Sequence, residues 1–215
     1  MTVSVDTLLD SVSSTLLDVA RRTWGRNLLL GYLNEGLRAT VFLKPDAYPV
    51  QTFIPLVSGI AQSLPSDGVA VINATDNEVS GRGISQTDLA LLQEENRFWP
   101  AATREVDVEN YAADPRTPRL FYVFPPNDGT GSIRMTYGAV PPVLTGSSGE
   151  VLPTTDAYQN ALTNFTLSKA YAMNSKKQDL SKSAAYLNDW RVSLGLKSQG
   201  QIAVAPKVGE SPGVK

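Results

Sequence analysis

Glu94 and Glu95 put two carboxylic acids side by side in the run Leu89-Ala90-Leu91-Leu92-Gln93-Glu94-Glu95, and a pair of acids is what glycoside cleavage uses. Adjacent helical residues diverge by about 100° around the axis, so the two carboxyls cannot flank one bond, and a solvated helix face accounts for them. Asp6, Asp10 and Asp18 have the chemistry of metal ligands, but a hard cation needs an oxygen-rich loop, so they read as the polar face of one helix. Gly129-Thr130-Gly131 looks like part of a phosphate loop without the Lys-Ser or Lys-Thr and the helix start that cradle a phosphate; a hairpin turn explains it. Gly81-Arg82-Gly83 is too short to mean anything alone. The chain has no cysteine and no histidine, which excludes disulfides, thiol nucleophiles, Cys/His zinc sites and Ser-His-Asp triads. No catalytic, metal-binding or cofactor-binding residue is expected, and no cofactor.

Residues suited to contact are better represented. Trp190 falls on a helical apolar stripe and belongs in a core, whereas Trp24 and Trp99 stand at element boundaries and are candidates for contact between subunits. Arg21, Arg22 and Arg26 form the densest basic cluster. A helix C-terminus complementing its dipole is the preferred explanation, and an acidic neighbouring subunit touched by Arg26, or passing DNA, is the functional one. The net charge of −2 argues against broad non-specific binding to DNA, an affinity that comes from Lys and Arg neutralising phosphates. From Lys197 onward the chain is rich in Gly, Pro and Ser. There Ile202, Val204, Pro206 and Val208 mark a segment able to add to another protein's sheet edge or lie in a groove, and disorder is the equally simple alternative.

The elements that would position these residues follow from periodicity. Val5, Leu8, Leu9, Val12, Leu16 and Val19 recur at three and four, predicting a helix from Ser4, its N-cap, to Ala20. Leu28, Leu29, Tyr32, Leu33, Leu37, Val41 and Phe42 predict a second helix that must stop near Lys44 because of Pro45. Short β-like runs follow at Gln51–Val57, Gln62–Leu64 and Val69–Ala74, the first placed at an edge by Pro55. Leu120–Phe124 reads as a strand buried on both faces, joined through a Pro125–Gly131 hairpin to Ile133–Tyr137, whose Ile133, Met135 and Tyr137 should face the core. Leu89–Glu95 is a surface helix, and Gly146-Ser147-Ser148-Gly149 is a flexible connector. A helix opening at Thr154-Thr155-Asp156 carries Tyr158, Ala161, Leu162, Phe165, Lys169, Ala170 and Met173. A last one carries Leu180, Ala184, Leu187, Trp190 and Leu194 to a Gly195 cap. The apolar runs are too short to span a membrane, and the start has no basic and apolar regions of a signal peptide.

Several stretches taken together resemble a family of phage adaptor proteins of short-tailed and some other tailed phages, related in role to tail tubular proteins. They are Leu8-Leu9-Asp10-Ser11-Val12, Trp24–Leu43 with Tyr32-Leu33-Asn34-Glu35-Gly36-Leu37-Arg38, and Leu43-Lys44-Pro45-Asp46-Ala47-Tyr48. Ser63-Leu64-Pro65-Ser66-Asp67-Gly68 and Tyr111-Ala112-Ala113-Asp114-Pro115-Arg116 follow, the latter leading into Phe121-Tyr122-Val123-Phe124-Pro125-Pro126. Ala157-Tyr158-Gln159-Asn160-Ala161-Leu162 with Lys169-Ala170-Tyr171 completes the set. The resemblance implies an α+β fold: a bundle of N- and C-terminal helices (1–47 and 150–195), an inserted antiparallel β domain (48–149) and an extended tail (196–215). It further implies a non-enzymatic head-to-tail adaptor in the virion neck, assembled in the host cytoplasm as a dodecameric ring. The ring would join the portal protein to the tail tube or nozzle while genomic DNA passes through its lumen without sequence-specific binding and without a membrane. The tail would reach the portal through Ile202, Val204, Pro206 and Val208. Departures are the long Gly/Pro-containing tail and Gly36 within the second helix. The rival expectations are a virion-associated peptidoglycan or carbohydrate hydrolase using acids such as Glu94 and Asp114, and a tail completion or stopper protein.

Overall fold

Ser4 caps the first helix as its position predicts. In the computed structural model, which describes residues 3–95 and 97–196, its hydroxyl accepts from the Thr7 N–H at 3.1 Å and α1 runs Val5–Thr15 with Val5, Leu8, Leu9 and Val12 buried. The helix stops short of the expected Ala20. Leu17 adopts φ 52°, its N–H donates to Ser14 O and the Asp18 N–H donates to Ser13 O, the paired closing bonds that usually need glycine. Periodicity could not show this stop, because Leu16 and Val19 continue the stripe and no Gly or Pro interrupts it; Val19 is exposed.

The chain divides into two compact units, one comprising residues up to Thr40 and from Val143 onward, the other Val41–Pro142. In the first, α1 shares a core with α2 (Arg26–Leu43) and α4 (Gln159–Ala172) through Leu29, Leu33, Leu37, Leu162 and Leu167. Helices from opposite ends of the chain therefore close on each other. Helix α4 is covered on more than one side, so Thr166, Leu167 and Ser168 are buried beside the expected Ala161, Leu162, Phe165 and Ala170. Helix α5 (Leu180–Ser193) attaches through Trp190 and Leu194, which cluster with Ala161 and Phe165; Leu180 and Ala184, expected on the same stripe, are exposed. Gly195 closes α5 at φ 73°, with Gly195 N–H to Val192 O and Leu196 N–H to Arg191 O.

Gly36 has a packing reason. A Cβ there would meet the Phe165 ring at 2.9 Å, and that ring is held edge-on against Trp190 at 5.1 Å between centroids. Gly36→Ala should therefore destabilise despite the ~1 kcal/mol gain in helix propensity. Overpacking costs roughly 1–3 kcal/mol, so a net loss of about 1 kcal/mol is expected in urea unfolding, and a stabilised variant would refute the close fit.

The second unit is two sheets around one core. Strands β1 (Pro49–Pro55), β7 (Ser132–Ala139) and β3 (Gly68–Asn77) form one sheet with β7 central. Strands β2 (Gly59–Ser63), β6 (Leu120–Asn127), β5 (Asn110–Ala113) and β4 (Ser85–Gln86) form the other. Pro55 does sit on an edge strand, paired with Ser132 on its inner side only. Ile133, Met135 and Tyr137 meet Phe121, Val123 and Tyr111 from the other sheet in a single cluster.

Two strand expectations need correction. Strand β6 alternates over its first half, burying Phe121 and Val123 while Leu120 is exposed, because only one of its faces meets the opposing sheet. The segment after Pro125 is not a hairpin, since β6 and β7 lie in different sheets. Asn127 makes the crossing: its Oδ1 accepts from Gly129 and Gly131 N–H, turning the chain out of one sheet and into the other. Helix α3 (Leu89–Glu95) begins where Asp88 accepts from Ala90 N–H at 2.7 Å, and it is largely exposed apart from Leu92.

Candidate functional site

The residues singled out for contact have different fates. Trp24 is 1% exposed: its indole N–H donates to Ala170 O at 3.0 Å and its ring meets Tyr171 edge-on. Trp99 is 4% exposed and packs edge-on against Tyr122. Burial removes both rings from contact with a neighbouring copy; an element boundary is also where a large side chain seals a core. Arg26 is half-buried, paired with Asp6 and donating to Gly146 O. It opens α2 rather than closing a helix, so the C-terminal dipole explanation fails for it, and Asp6 offsets the unfavourable charge at a helix start. Ile202, Val204, Pro206 and Val208 lie outside the described residues.

Asp18 is not on a polar helix face. It sits after the end of α1, where Oδ1 accepts from Arg22 N–H and Oδ2 from Thr23 and Trp24 N–H at 2.8–3.0 Å. Arg21, at φ 50°, reaches back to Ser13 and Asp10. One carboxylate thus fixes the whole connection between α1 and α2. Glu150 does the same for the supposed flexible connector, accepting from Thr145 and Gly146 N–H at 3.1 and 2.6 Å, which makes it a hydrogen-bonded turn.

These bonds set an acid limit to stability. The Trp24 N–H holds Asp18 below the ordinary 3.8, the Thr145 N–H holds Glu150 below the ordinary 4.5, and the Lys182 N–H at the α5 N-terminus holds Asp179 below 3.8. A carboxylate with a depressed folded pKa contributes stability that is complete above its ordinary value and lost as pH falls through the folded one. With no histidine in the chain, the thermal midpoint should be flat from about pH 7 to pH 5 and fall steeply below the ordinary carboxylate range. Asp18→Asn should lower the plateau and shallow the fall; an unchanged profile would separate the carboxylate from the loop's stability.

Sequence reasoning missed a set of side-chain amides that clamp backbone. Asn34 pairs with both backbone groups of Leu144, Gln62 bridges Val57 and Gly59, and Asn77 holds Val108 and Arg82. Asn127 Nδ2 donates to Glu105 and Val106 carbonyls. Gln62, Asn77 and Asn127 are buried. An amide offers a donor and an acceptor at once and can replace a missing backbone partner, but nothing in local sequence distinguishes such a residue from a solvated one.

Surface depressions lie among the described residues of the second unit. Asp114 lines one of about 270 Å³ with Asp88, Gln93 and Arg116, and Glu94 is not among its lining residues. Asp114 is occupied by the Arg116 N–H and guanidinium. An apolar groove of about 380 Å³ runs between Phe42, Val69, Pro118 and Leu120; Phe42, expected toward the core, is 75% exposed. Another, of about 520 Å³, has Val79 and Val106 among Arg82, Arg104, Glu105, Asp107 and Asp128. Among the described residues no group of three or more His, Cys, Asp or Glu is placed to hold a metal ion, and no helix is long and apolar enough to cross a membrane.

What this arrangement offers chemically is rigid surface with mixed apolar and charged relief. Against known proteins, the model of a family described as SU10 adaptor protein matches residues 3–208. No curated protein matches the chain.

Proposed function

We propose, from the premise that this chain belongs to the SU10 adaptor protein family, that it closes into a dodecameric ring on the portal of a tailed phage. The ring joins the portal to the tail tube or nozzle and lets the genome pass. The chain is a head-to-tail adaptor, a structural protein of the phage virion, and its partners are portal and tail components. The observation that carries the reading is the extent of the match, which runs through both compact units rather than one. A structural role needs no cluster of reactive groups, only folded surfaces that find neighbours, and the pinned loops described above supply them.

The match continues through residue 208, past the end of α5 and across Ile202, Val204, Pro206 and Val208. This supports assigning that segment to portal docking, as an added strand or a groove-bound peptide. A net charge of −2 suits a lumen through which DNA slides without being held, because neutralising phosphates is what retains it. The bundle of terminal helices and the inserted β lobe are the two working parts, the tail the third.

Portal attachment tests the reading. Purified chain mixed with the portal protein of the same phage should co-sediment with it, whereas the chain ended at Leu196 should keep its thermal midpoint and lose most of its attachment. Equal attachment of both forms would take the tail out of docking, and no attachment of the full chain would contradict the adaptor role.

A further inference from the structure

The ring requires each copy to show two different surfaces that fit one another, because a cyclic contact is heterologous. The connection after α1 is an exposed apolar protrusion. Leu17 and Val19 are 86% and 75% exposed, and they are presented by a loop that is held rather than loose. Leu17 and Arg21 both have left-handed backbone, a conformation disfavoured for residues with a Cβ, and Asp18 fixes the loop through three backbone N–H groups. Around the tip the charge is positive. Arg22 and Lys177 are exposed, with Lys177 5.1 Å over the Trp24 ring, while the Asp18 carboxylate is committed and Asp10 is paired with Arg21.

The depression around Val79 and Val106 has the opposite character. Val79 is 83% exposed, the cavity is about 520 Å³, and the carboxylates of Glu105, Asp107 and Asp128 line it against Arg82 and Arg104. Arg82 is further drawn to Glu109 at 3.7 Å, and Glu78 lies next to Val79 in an exposed position. Its wall is also fixed, since Asn127 grips the carbonyls of Glu105 and Val106.

We infer that the Leu17–Val19 loop of one copy seats in the Val79–Val106 depression of the next copy around the ring. Two cation-flanked loops repel each other, whereas the depression sets three carboxylates against two guanidinium groups, Arg82 being paired with Asp107 at 3.9 Å, and keeps a net negative lining. The charges therefore favour head-to-tail closure over a symmetric contact between loops. Both partners are fixed before they meet, so little ordering entropy is lost on contact. The contact rests on the ring reading above and names the surfaces that make it.

The chain has no cysteine, which makes cross-linking clean. A full-length chain carrying both Val19→Cys and Val79→Cys, assembled on portal and treated with a short bismaleimide, should give a ladder of covalent multimers on a denaturing gel. Rings visible in micrographs with only single-chain species on the gel would overturn the contact while leaving the ring intact. Arg22 and Glu105 are exposed and have no ion-pair partner among the described residues. Arg22→Glu or Glu105→Arg alone should cut ring occupancy of portals by about tenfold or more, and the two together should restore it. Failure of the double variant to recover would also overturn the contact, and absence of rings from the unmodified chain would remove the ring reading and this contact together.

Discussion

Replacing Trp24 by Ala will cost about 3–5 kcal/mol of unfolding free energy, the range for deleting a large buried aromatic. The ring is 1% exposed in the core that joins the helices of both chain ends. Its loss opens a cavity beside α4 and strands the Ala170 carbonyl that the indole N–H satisfies at 3.0 Å. Trp24→Phe separates the two contributions. It keeps most of the buried ring and gives up the hydrogen bond, so it should cost about 1–3 kcal/mol, the penalty of one unsatisfied buried group. Because such a loss is a large share of the stability of an ordinary domain, the Ala variant should melt far below the parent in calorimetry. The alternative, a subunit-contact role, predicts a normal melt with defective assembly.

Asn127→Ala is expected to be nearly as damaging, at roughly 2–4 kcal/mol, since buried groups left without partners cost about 1–3 kcal/mol each. The amide is fully buried and serves four backbone groups: the carbonyls of Glu105 and Val106 and the N–H groups of Gly129 and Gly131. Asn127→Asp keeps the acceptor for the two glycine N–H groups and turns the donor end into a charge facing two carbonyl oxygens, so it should be no better than Ala. Gly131 is tied to the same device. A Cβ there would run into the Val106 carbonyl and the Asn127 amide, so Gly131→Ala should mimic the loss of Asn127 in denaturant unfolding. A mild effect of both would mean that the crossing between sheets is held by something else.

Much of the helical unit was legible because its signals are local. Ser4 caps, Pro45 stops and Gly195 closes through backbone chemistry confined to a few residues. What was not legible depends on residues far apart or on a residue acting against its type. Leu17 ends α1 in a conformation that glycine usually supplies, and only the distant commitments of Asp18 and Arg21 make it tolerable. Strands β6 and β7 follow one another in sequence but not in a sheet, a choice made by the Asn127 side chain and not by the turn residues between them. Tryptophans at element boundaries looked outward for want of any sign of Ala170 or Tyr122 opposite them.

The same distinction applies to the site. Asp18, read as part of a polar helix face, proved to be a structural anchor that organises a loop, and Glu150, to which the sequence assigned no role, organises another. Surface relief could not be read at all, because Leu17 and Val79 are ordinary apolar letters until their exposure is seen. Adaptor function therefore enters through the family pattern over residues 3–208.

Electron cryomicroscopy of the purified chain assembled on its phage's portal decides the matter most directly. The reconstruction should show a closed ring of identical copies coaxial with the portal, a continuous central channel and density from each copy's C-terminal segment entering the portal. Bare portals beside unassembled single copies, under conditions where both proteins are folded, would contradict it.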